Sequence, residues 1–143
     1  MAVCTFFGHR DASNKIENTL KEVITDLIKK HNVNKFYVGT HGNFDNMVKK
    51  ALIELKKFYP HITYTIVLSN LNFPKERKTD NYTNYIYPEG FENTPPKYAI
   101  IRRNKWMIEQ SDYVITYATH TFSNTYKFKM IAEKKGKIVI NLI

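Results

Sequence analysis

Apolar residues along the chain follow two alternating patterns. Short, nearly continuous apolar runs predict five β-strands, at residues 3–7, 36–39, 62–68, 113–117 and 137–142. Between these runs, apolar residues recur at the spacing of one helix face. They predict four α-helices: the first starts near Asn14, the second runs from Phe44 to Phe58, the third covers 97–110 and the fourth ends at about 135.

Five strands separated by four helices favour an α/β fold, with a mainly parallel sheet covered by helices on both faces. With the strand order 3-2-1-4-5, the chain reverses direction between the first and the fourth strand. Ligands of such sheets bind at the carboxyl ends of the strands around that point. No linker or repeat divides the sequence, so we expect residues 1–143 to form one domain.

Three local signals are expected to fix helix ends. Asn14 and Glu17 have the spacing of a capping box at the start of the first helix. Asn43 is a good N-cap for the second helix, and Gly136 is a suitable C-cap for the fourth.

Three turns at the carboxyl ends of strands are expected to meet in one crevice. They supply Gly8, His9, Arg10 and Asp11 after the first strand, Gly39, Thr40, Gly42 and Asn43 after the second, and 117–124, including Tyr117, His120, Thr121 and Asn124, after the fourth. The second turn is typical of an anion site, because its glycines permit close backbone approach and a helix N-terminus follows. The same glycine spacing also occurs in plain connections.

Residues 69–96 lack a clear hydrophobic period, and a connection of this length predicts a lid over the crevice. Tyr82, Tyr85 and Tyr87 alternate within it, and they are compatible with stacking on a base, an extra hairpin or simple packing on the domain. Glu89 lies in a turn of the same connection. It either completes the pocket when the lid closes or stabilises that turn.

Composition narrows the class of protein. The single cysteine, Cys4, excludes an intrachain disulfide, and its apolar surroundings favour a core position. The sequence shows no membrane-spanning run and no leader, so we expect a cytoplasmic protein without a membrane partner. The net charge of +9 favours an anionic partner, either a nucleotide or nucleic acid, although a plain solvated lysine surface gives the same value.

Several polar residues of the expected crevice have two interpretations each. Arg10 is suited to contact a phosphate or ribose, or to pair with a surface carboxylate. His9 is suited to acid–base chemistry or to a backbone hydrogen bond. Asp45 either contacts a ribose hydroxyl or complements the helix dipole. The spacing of histidines and carboxylates predicts no metal site, and no cofactor is expected.

A set of motifs together resembles the YpsA-like branch of the SLOG superfamily. They are Phe7-Gly8-His9-Arg10, Tyr37-Val38-Gly39 with Gly42-Asn43-Phe44-Asp45, Tyr87-Pro88-Glu89-Gly90, Arg103-Asn104-Lys105-Trp106-Met107 and Ser111-Asp112-Tyr113-Val114-Ile115. The superfamily takes its name from Smf/DprA and the "lonely guy" phosphoribohydrolases. The resemblance implies a Rossmann-like three-layer sandwich that binds nucleotides, nucleotide-derived signals or nucleic acid, often as a homo-oligomer.

The sequence also departs from the phosphoribohydrolases. Arg103 and Met107 match their arginine–methionine spacing, but residues 118–128 contain neither the glycines nor the catalytic glutamate of their next motif. Side chains of Thr119, Thr121, Ser123 and Asn124 are the remaining donors there. We therefore expect binding or sensing of a nucleotide or an ADP-ribose- or NAD-like derivative. The alternatives are a nucleic-acid-binding module or a weak N-glycosidic hydrolase, whose candidate catalytic residues are Glu89, His9 and Arg103.

Overall fold

The computed structural model describes residues 2–70 and 84–143, which form an α/β fold around one all-parallel sheet. The strands are β1 (Ala2–Gly8), β2 (Val33–Val38), β3 (Thr63–Val67), β4 (Asn84–Ile86), β5 (Tyr113–Tyr117) and β6 (Ile138–Asn141). The helices are α1 (Glu17–Lys30), α2 (Gly42–Phe58), α3 (Ala99–Gln110) and α4 (Asn124–Lys134). The sheet order is β4-β3-β2-β1-β5-β6, so the chain reverses direction between β1 and β5.

The prediction of five strands in the order 3-2-1-4-5 is wrong, because β4 adds a sixth strand beside β3 at one edge. Only three residues long, β4 is too short to give a hydrophobic period. It pairs in parallel with β3, Ile66 opposite Tyr85, and the Leu68 N–H donates to the Ile86 carbonyl at 2.8 Å. The predicted lid at 69–96 thus contains a strand, and among the described residues Tyr85 pairs in parallel with β3 and not in a hairpin. Tyr82 lies outside the described residues.

Two apolar layers hold the helices on the sheet. On one face, α1 and α2 bury residues such as Leu20, Ile24, Phe44 and Val48. On the other, α3 and α4 bury the members of a second cluster, among them Met107, Ile108, Phe128 and Ala132. Each large apolar side chain of this kind contributes about 1.5–3 kcal/mol when fully buried. These layers place β1 at the centre of the fold, with helices on both sides of its carboxyl end.

Cys4 on β1 is fully buried in the first of these layers, as the sequence predicts. Burial raises the pKa of the Cys4 thiol far above its ordinary range. A thiol that stays protonated at physiological pH is a poor nucleophile. Cys4 is therefore a core residue.

Asn43 does not cap α2, contrary to the prediction. The N-cap is His41, Gly42 takes φ +91°, and Asn43 lies in the first turn. Its side-chain amide donates to the Ala12 carbonyl at 2.6 Å and to Asn14 Oδ1 at 2.8 Å. Asn43 thus ties α2 to the loop that leaves β1.

The predicted capping box of Asn14 and Glu17 is also absent. Ser13 caps a short 3-10 turn over Asn14–Ile16 by accepting from the Lys15 N–H, and α1 begins at Glu17. The Asn14 side chain instead accepts from Asn43. Gly136 does follow the last turn of α4 with φ +78°, the left-handed conformation expected of a glycine at a helix end.

Candidate functional site

A cavity of about 520 Å³ opens at the carboxyl end of β1, between α3 and α4. It lies beside the point where the chain reverses direction, the location expected for a ligand site. Seven predicted site residues line it: Gly8, His9, Arg10, Asp45, Arg103, Ser123 and Asn124. Gly39 and Thr40 line a neighbouring cavity that shares Asp45. Neither cavity lining includes Gly42, Asn43, Tyr117, His120 or Thr121.

Arg103 is the most unusual side chain of the site, because it is charged and only 2% exposed. Its Nη1 donates to Thr40 Oγ1 at 2.7 Å, and its Nε donates to Asn104 Oδ1 at 3.1 Å. Within residues 2–70 and 84–143, no ion pair joins it to a carboxylate. The Asp45 charge acts on Arg103 without a direct ion pair, and burial still lowers the pKa of the guanidinium. A buried cation whose hydrogen-bond partners are all neutral is costly unless a further anion approaches it.

His41 completes the neutral surroundings of this guanidinium. Its Nδ1 lies 3.3 Å from Arg103 Nη1 and 2.9 Å from Thr40 Oγ1. Burial, and then the charges of Arg103 and Arg10, lower the pKa of His41. A neutral imidazole accepts a hydrogen bond from Arg103, whereas a protonated one would repel it.

Asp45 is the only carboxylate among the residues that line the cavity. Its Oδ2 accepts from the His41 N–H at 3.0 Å. Burial raises the pKa of Asp45 to about 6, against the lowering effects of that hydrogen bond and of the Arg103 charge. Gly39 leaves room for this arrangement, since a Cβ there would lie 2.8 Å from Asp45 Oδ2 and 3.3 Å from Arg103 Nη2.

The raised pKa of Asp45 predicts a specific pH dependence of stability. The folded state binds the Asp45 proton more tightly than the unfolded state, so the free energy of unfolding falls as pH rises from about 4 to about 6. Because one pKa unit corresponds to about 1.4 kcal/mol, the loss is at most about 3 kcal/mol. Asp45→Asn keeps an acceptor for the His41 N–H but has no carboxyl group to titrate, so it should not show this loss of stability.

Urea denaturation of both proteins at about pH 4 and pH 6.5 measures this difference. Taking the difference between the unfolding free energies of the two proteins at each pH cancels the effects of titrations that they share, such as those of the histidines. We expect the variant to gain stability relative to the wild type as pH rises. A difference that stays constant with pH would show that Asp45 titrates normally.

Backbone N–H groups at the N-terminus of α2 already donate to other residues of the protein. The Asn43 N–H donates to the Arg10 carbonyl at 2.8 Å, and the His41 N–H is taken by Asp45. A Cβ at Gly42 would lie 2.6 Å from Arg10 Cα, so the loop after β1 packs directly on this turn. Two of the backbone donors on which the predicted anion site depended are therefore already used.

The N-terminus of α4 opens towards the cavity instead. Ser123 caps it by accepting from the Tyr126 N–H at 3.1 Å, and Ser123, Asn124 and Thr125 all line the cavity. The first N–H groups and the positive dipole end of a helix attract anions. The Ser123 hydroxyl, predicted to be a donor to a ligand, instead donates to the His120 carbonyl at 3.0 Å.

His9 and His120 form a small cluster at the mouth of the cavity. Their rings stack with centroids 4.7 Å apart, and Thr119 Oγ1 lies 3.0 Å from one nitrogen of each. His9 Nε2 accepts from the Thr119 N–H at 3.0 Å. Burial first, and then the charge of His120, lower the pKa of His9, while Asp11 opposes them. This geometry favours a neutral His9 that positions the 117–124 turn.

Other predicted residues lie outside the cavity lining. Thr121 is exposed in the turn before α4, and the Tyr117 ring lies against His9 and Phe44. Glu89 is exposed in the turn before Phe91 and does not reach the cavity. Among the described residues, no three His, Cys, Asp or Glu side chains lie close enough together to hold a metal ion.

The charge of the lining is strongly positive. Arg10, Arg103, Lys105 and Lys127 contribute four formal cations, opposed by Asp45 alone. Opposite charges attract more strongly in a partly enclosed site than in bulk water. The crevice is therefore suited to an anion with more than one negative charge.

Two solved structures share this fold. The structure of DNA processing protein A (DprA) from Streptococcus pneumoniae matches with a TM-score of 0.73 and 17% identity, over 99% of this chain and 50% of that one. DprA from Helicobacter pylori, described for its unique single-stranded DNA binding mode, matches with a TM-score of 0.67 and 17% identity, over 98% of this chain and 64% of that one.

The comparison shows a Rossmann-like α/β fold of the DprA type. The chain spans only 50% to 64% of the length of these two proteins. No protein-family model and no curated protein matches the sequence. Within the described residues, no helix is long and apolar enough to cross a membrane.

Proposed function

We propose that the crevice binds a nucleotide or a nucleotide derivative of the ADP-ribose or NAD type, with a phosphate group beside Arg103. The observation that carries this proposal is a buried guanidinium that lines the cavity and is held by neutral partners. A phosphate adds negative charge to that of Asp45 and accepts charge-assisted hydrogen bonds from the guanidinium.

The surroundings of Arg103 support the same ligand class. The N-terminus of α4 and the side chains of Arg10 and Lys127 add positive charge on the other sides of the cavity. A volume of about 520 Å³ lies within the roughly 300–1,000 Å³ typical of small-molecule sites. Asp45 is available to accept a hydrogen bond from a ribose hydroxyl.

Isothermal titration calorimetry with AMP, ADP-ribose and adenosine tests this function. Because the phosphate is the group recognised, AMP and ADP-ribose are expected to bind and adenosine to bind much more weakly. Equal affinity for adenosine and AMP would contradict a phosphate site. Binding of none of the three would contradict the proposed function as a whole.

Single-stranded DNA is a second candidate ligand, which the likeness to the H. pylori protein favours. The net charge of +9 supports it as well, since lysines and arginines bind the phosphate backbone and release counterions. In this case the crevice would hold one nucleotide of the strand, and the surrounding lysines would contact its neighbours.

DNA binding of this kind should be weak and strongly dependent on salt, because no base-reading motif is present. With a logarithmic slope of about 0.7 per contact, four backbone phosphates neutralised by lysines would lower the affinity roughly 600-fold for a tenfold rise in salt. Fluorescence anisotropy with labelled oligothymidine at several salt concentrations measures that slope. An affinity insensitive to salt would refute binding through the backbone.

The proposed family branch, cellular location and oligomeric state come from the family resemblance. The chain is a YpsA-like SLOG domain that acts in the cytoplasm as a homo-oligomer, and the motifs from Phe7-Gly8-His9-Arg10 to Ser111-Asp112-Tyr113 support that assignment. The DprA-type fold is compatible with it. Light scattering on the purified protein measures the oligomeric state directly.

A further inference from the structure

We propose that Asp45 takes up a proton from solvent when an anionic ligand binds beside Arg103, so that the site binds its ligand more tightly at mildly acidic pH than at higher pH. This inference rests on the proposed nucleotide function, and it adds how pH regulates the same site. The proton joins a carboxylate oxygen of Asp45, and no other covalent bond changes.

Asp45 and Arg103 approach the same point of the cavity wall. Both side chains line the cavity, and a Cβ at Gly39 would lie 2.8 Å from Asp45 Oδ2 and 3.3 Å from Arg103 Nη2. Within residues 2–70 and 84–143, the two groups are nevertheless too far apart to form an ion pair. An anion that contacts this guanidinium must therefore also lie near the carboxylate.

An ionised Asp45 has the same sign of charge as the ligand. Like charges in a partly enclosed site repel each other more strongly than in bulk water, and this repulsion disfavours the ionised form of a carboxyl group. Among the described residues that line the cavity, no second carboxylate shares the effect. Protonation of Asp45 removes the repulsion, which couples binding of the anion to uptake of a proton.

The surroundings of Asp45 tolerate a proton. Its Oδ2 accepts from the His41 N–H at 3.0 Å, and a protonated carboxyl group keeps an acceptor oxygen for that bond. Burial already raises the pKa of Asp45 to about 6. A ligand charge nearby is therefore expected to change the protonation state of this residue close to pH 7.

The other charged or titratable groups that line the cavity with Asp45 are all basic: His9, Arg10, His41, Arg103, Lys105 and Lys127. In the neighbouring cavity, Asp45 shares the wall with Lys49, Lys50 and Glu54 of α2. The arginines and lysines stay charged near pH 7. An anion also favours protonation of the two histidines, but burial lowers the pKa of both. We therefore expect Asp45 to take up more of the proton at pH 7 than they do.

Calorimetric titration with ADP-ribose at pH 7, in buffers of different ionisation enthalpy, counts the protons taken up. ADP-ribose is the probe because its phosphates are diesters and lack the second ionisation, with a pKa of about 6, of a phosphate monoester. We expect the wild type to take up about half a proton per ligand and to bind roughly tenfold more tightly at pH 5.5 than at pH 8.

Asp45→Asn keeps an acceptor for the His41 N–H but has no carboxyl group to protonate. At pH 7 its proton uptake should fall to less than half of the wild-type value, and at pH 8 it should bind ADP-ribose about three- to tenfold more tightly than the wild type. Asp26→Asn is the matched control, because Asp26 pairs with Lys30 on α1 and does not line the cavity. Equal proton uptake in the wild type and in Asp45→Asn would overturn the inference.

The carboxyl carbon-13 resonance of Asp45 measures the same protonation without relying on a variant. Its titration midpoint should move to higher pH when ADP-ribose is bound. A midpoint that does not move in the presence of bound ADP-ribose would refute proton uptake by Asp45 and leave the phosphate site intact. Failure of ADP-ribose to bind the wild type at either pH would instead refute the nucleotide function and this inference with it.

Discussion

Arg103→Met is expected to weaken AMP binding by about 1.5–3 kcal/mol, roughly 10- to 150-fold, the range for hydrogen bonds to charged groups. Among the described residues that line the cavity, the variant removes the only buried cation. Methionine fills most of the volume of the arginine side chain, so the loss of AMP affinity measures the contribution of the charge and its hydrogen bonds. Calorimetry at constant salt measures it.

The same substitution should not destabilise the fold. No direct ion pair joins the buried Arg103 to a carboxylate among the described residues. Removing the charge therefore removes a desolvation cost, which offsets the loss of its attraction to Asp45. We therefore expect the free energy of unfolding at pH 7 to stay constant or to rise. Lower affinity with unchanged or greater stability is the signature of a residue kept for binding.

Arg102→Met is the matched control for charge and position along the chain. Arg102 is exposed, donates to the Gly90 carbonyl at 3.0 Å and does not line the cavity. Its loss removes the same formal charge and should change AMP affinity by less than about twofold, because exposed charges are screened by salt. Equal losses in both variants would mean that net charge, and not the buried guanidinium, attracts the ligand.

Gly8→Ala is expected to destabilise the protein strongly. A Cβ at Gly8 would lie 2.1 Å from Phe44 Cγ, and Phe44 is fully buried. Overpacking of this kind costs about 1–3 kcal/mol, occasionally more, and a contact this short places the cost at the upper end. Urea denaturation with circular dichroism detection measures the change.

Gly136→Ala separates this clash from the general effect of losing a glycine. No atom lies within 4 Å of a Cβ at Gly136, but its φ of +78° strains any other residue by about 1–2 kcal/mol. The Gly8 variant should lose more stability than the Gly136 variant, although Gly8 has no positive φ. The opposite ranking would show that Phe44 moves aside easily.

Much of the fold follows from hydrophobic periodicity, because buried strands and amphipathic helices need it. The helix predicted from Phe44 to Phe58 begins two residues earlier, and the strand predicted at 113–117 has those bounds. The strand β4 could not be predicted in this way. It is held by pairing with β3 over three residues, a tertiary contact that leaves no local pattern.

Part of the site was also predictable. The order of strands and turns brings Gly8, Arg10 and Asp45 to one cavity, and the family resemblance contributed Arg103. Local propensity was misleading at Asn43, whose side chain binds the loop after β1 and leaves the cap position to His41. Long-range contacts decided that outcome, and single-sequence patterns do not record them.

Long-range contacts also explain why the anion site is proposed at the N-terminus of α4 and not at that of α2, where the sequence predicts it. The Asn43 N–H donates to the carbonyl of Arg10, a residue 33 positions earlier in the sequence. This donor is therefore not available to an anion. Ser123 before α4 was a visible signal, because serine is a favoured N-cap. Residues 118–128 contain no glycine, so the sequence does not show the glycine-rich turn that often binds phosphate at a helix N-terminus.

We propose that a phosphate binds between Arg103 and the N-terminus of α4. The most direct test is to titrate 15N-labelled protein with AMP and to follow its amide and arginine side-chain resonances by NMR. We expect Arg103 Nε and the amides of Asn124 and Thr125 to shift most, and the Asn43 amide, bonded to Arg10, to shift little. Shifts centred on Gly42 and Asn43, with Arg103 and Asn124 unaffected, would contradict it.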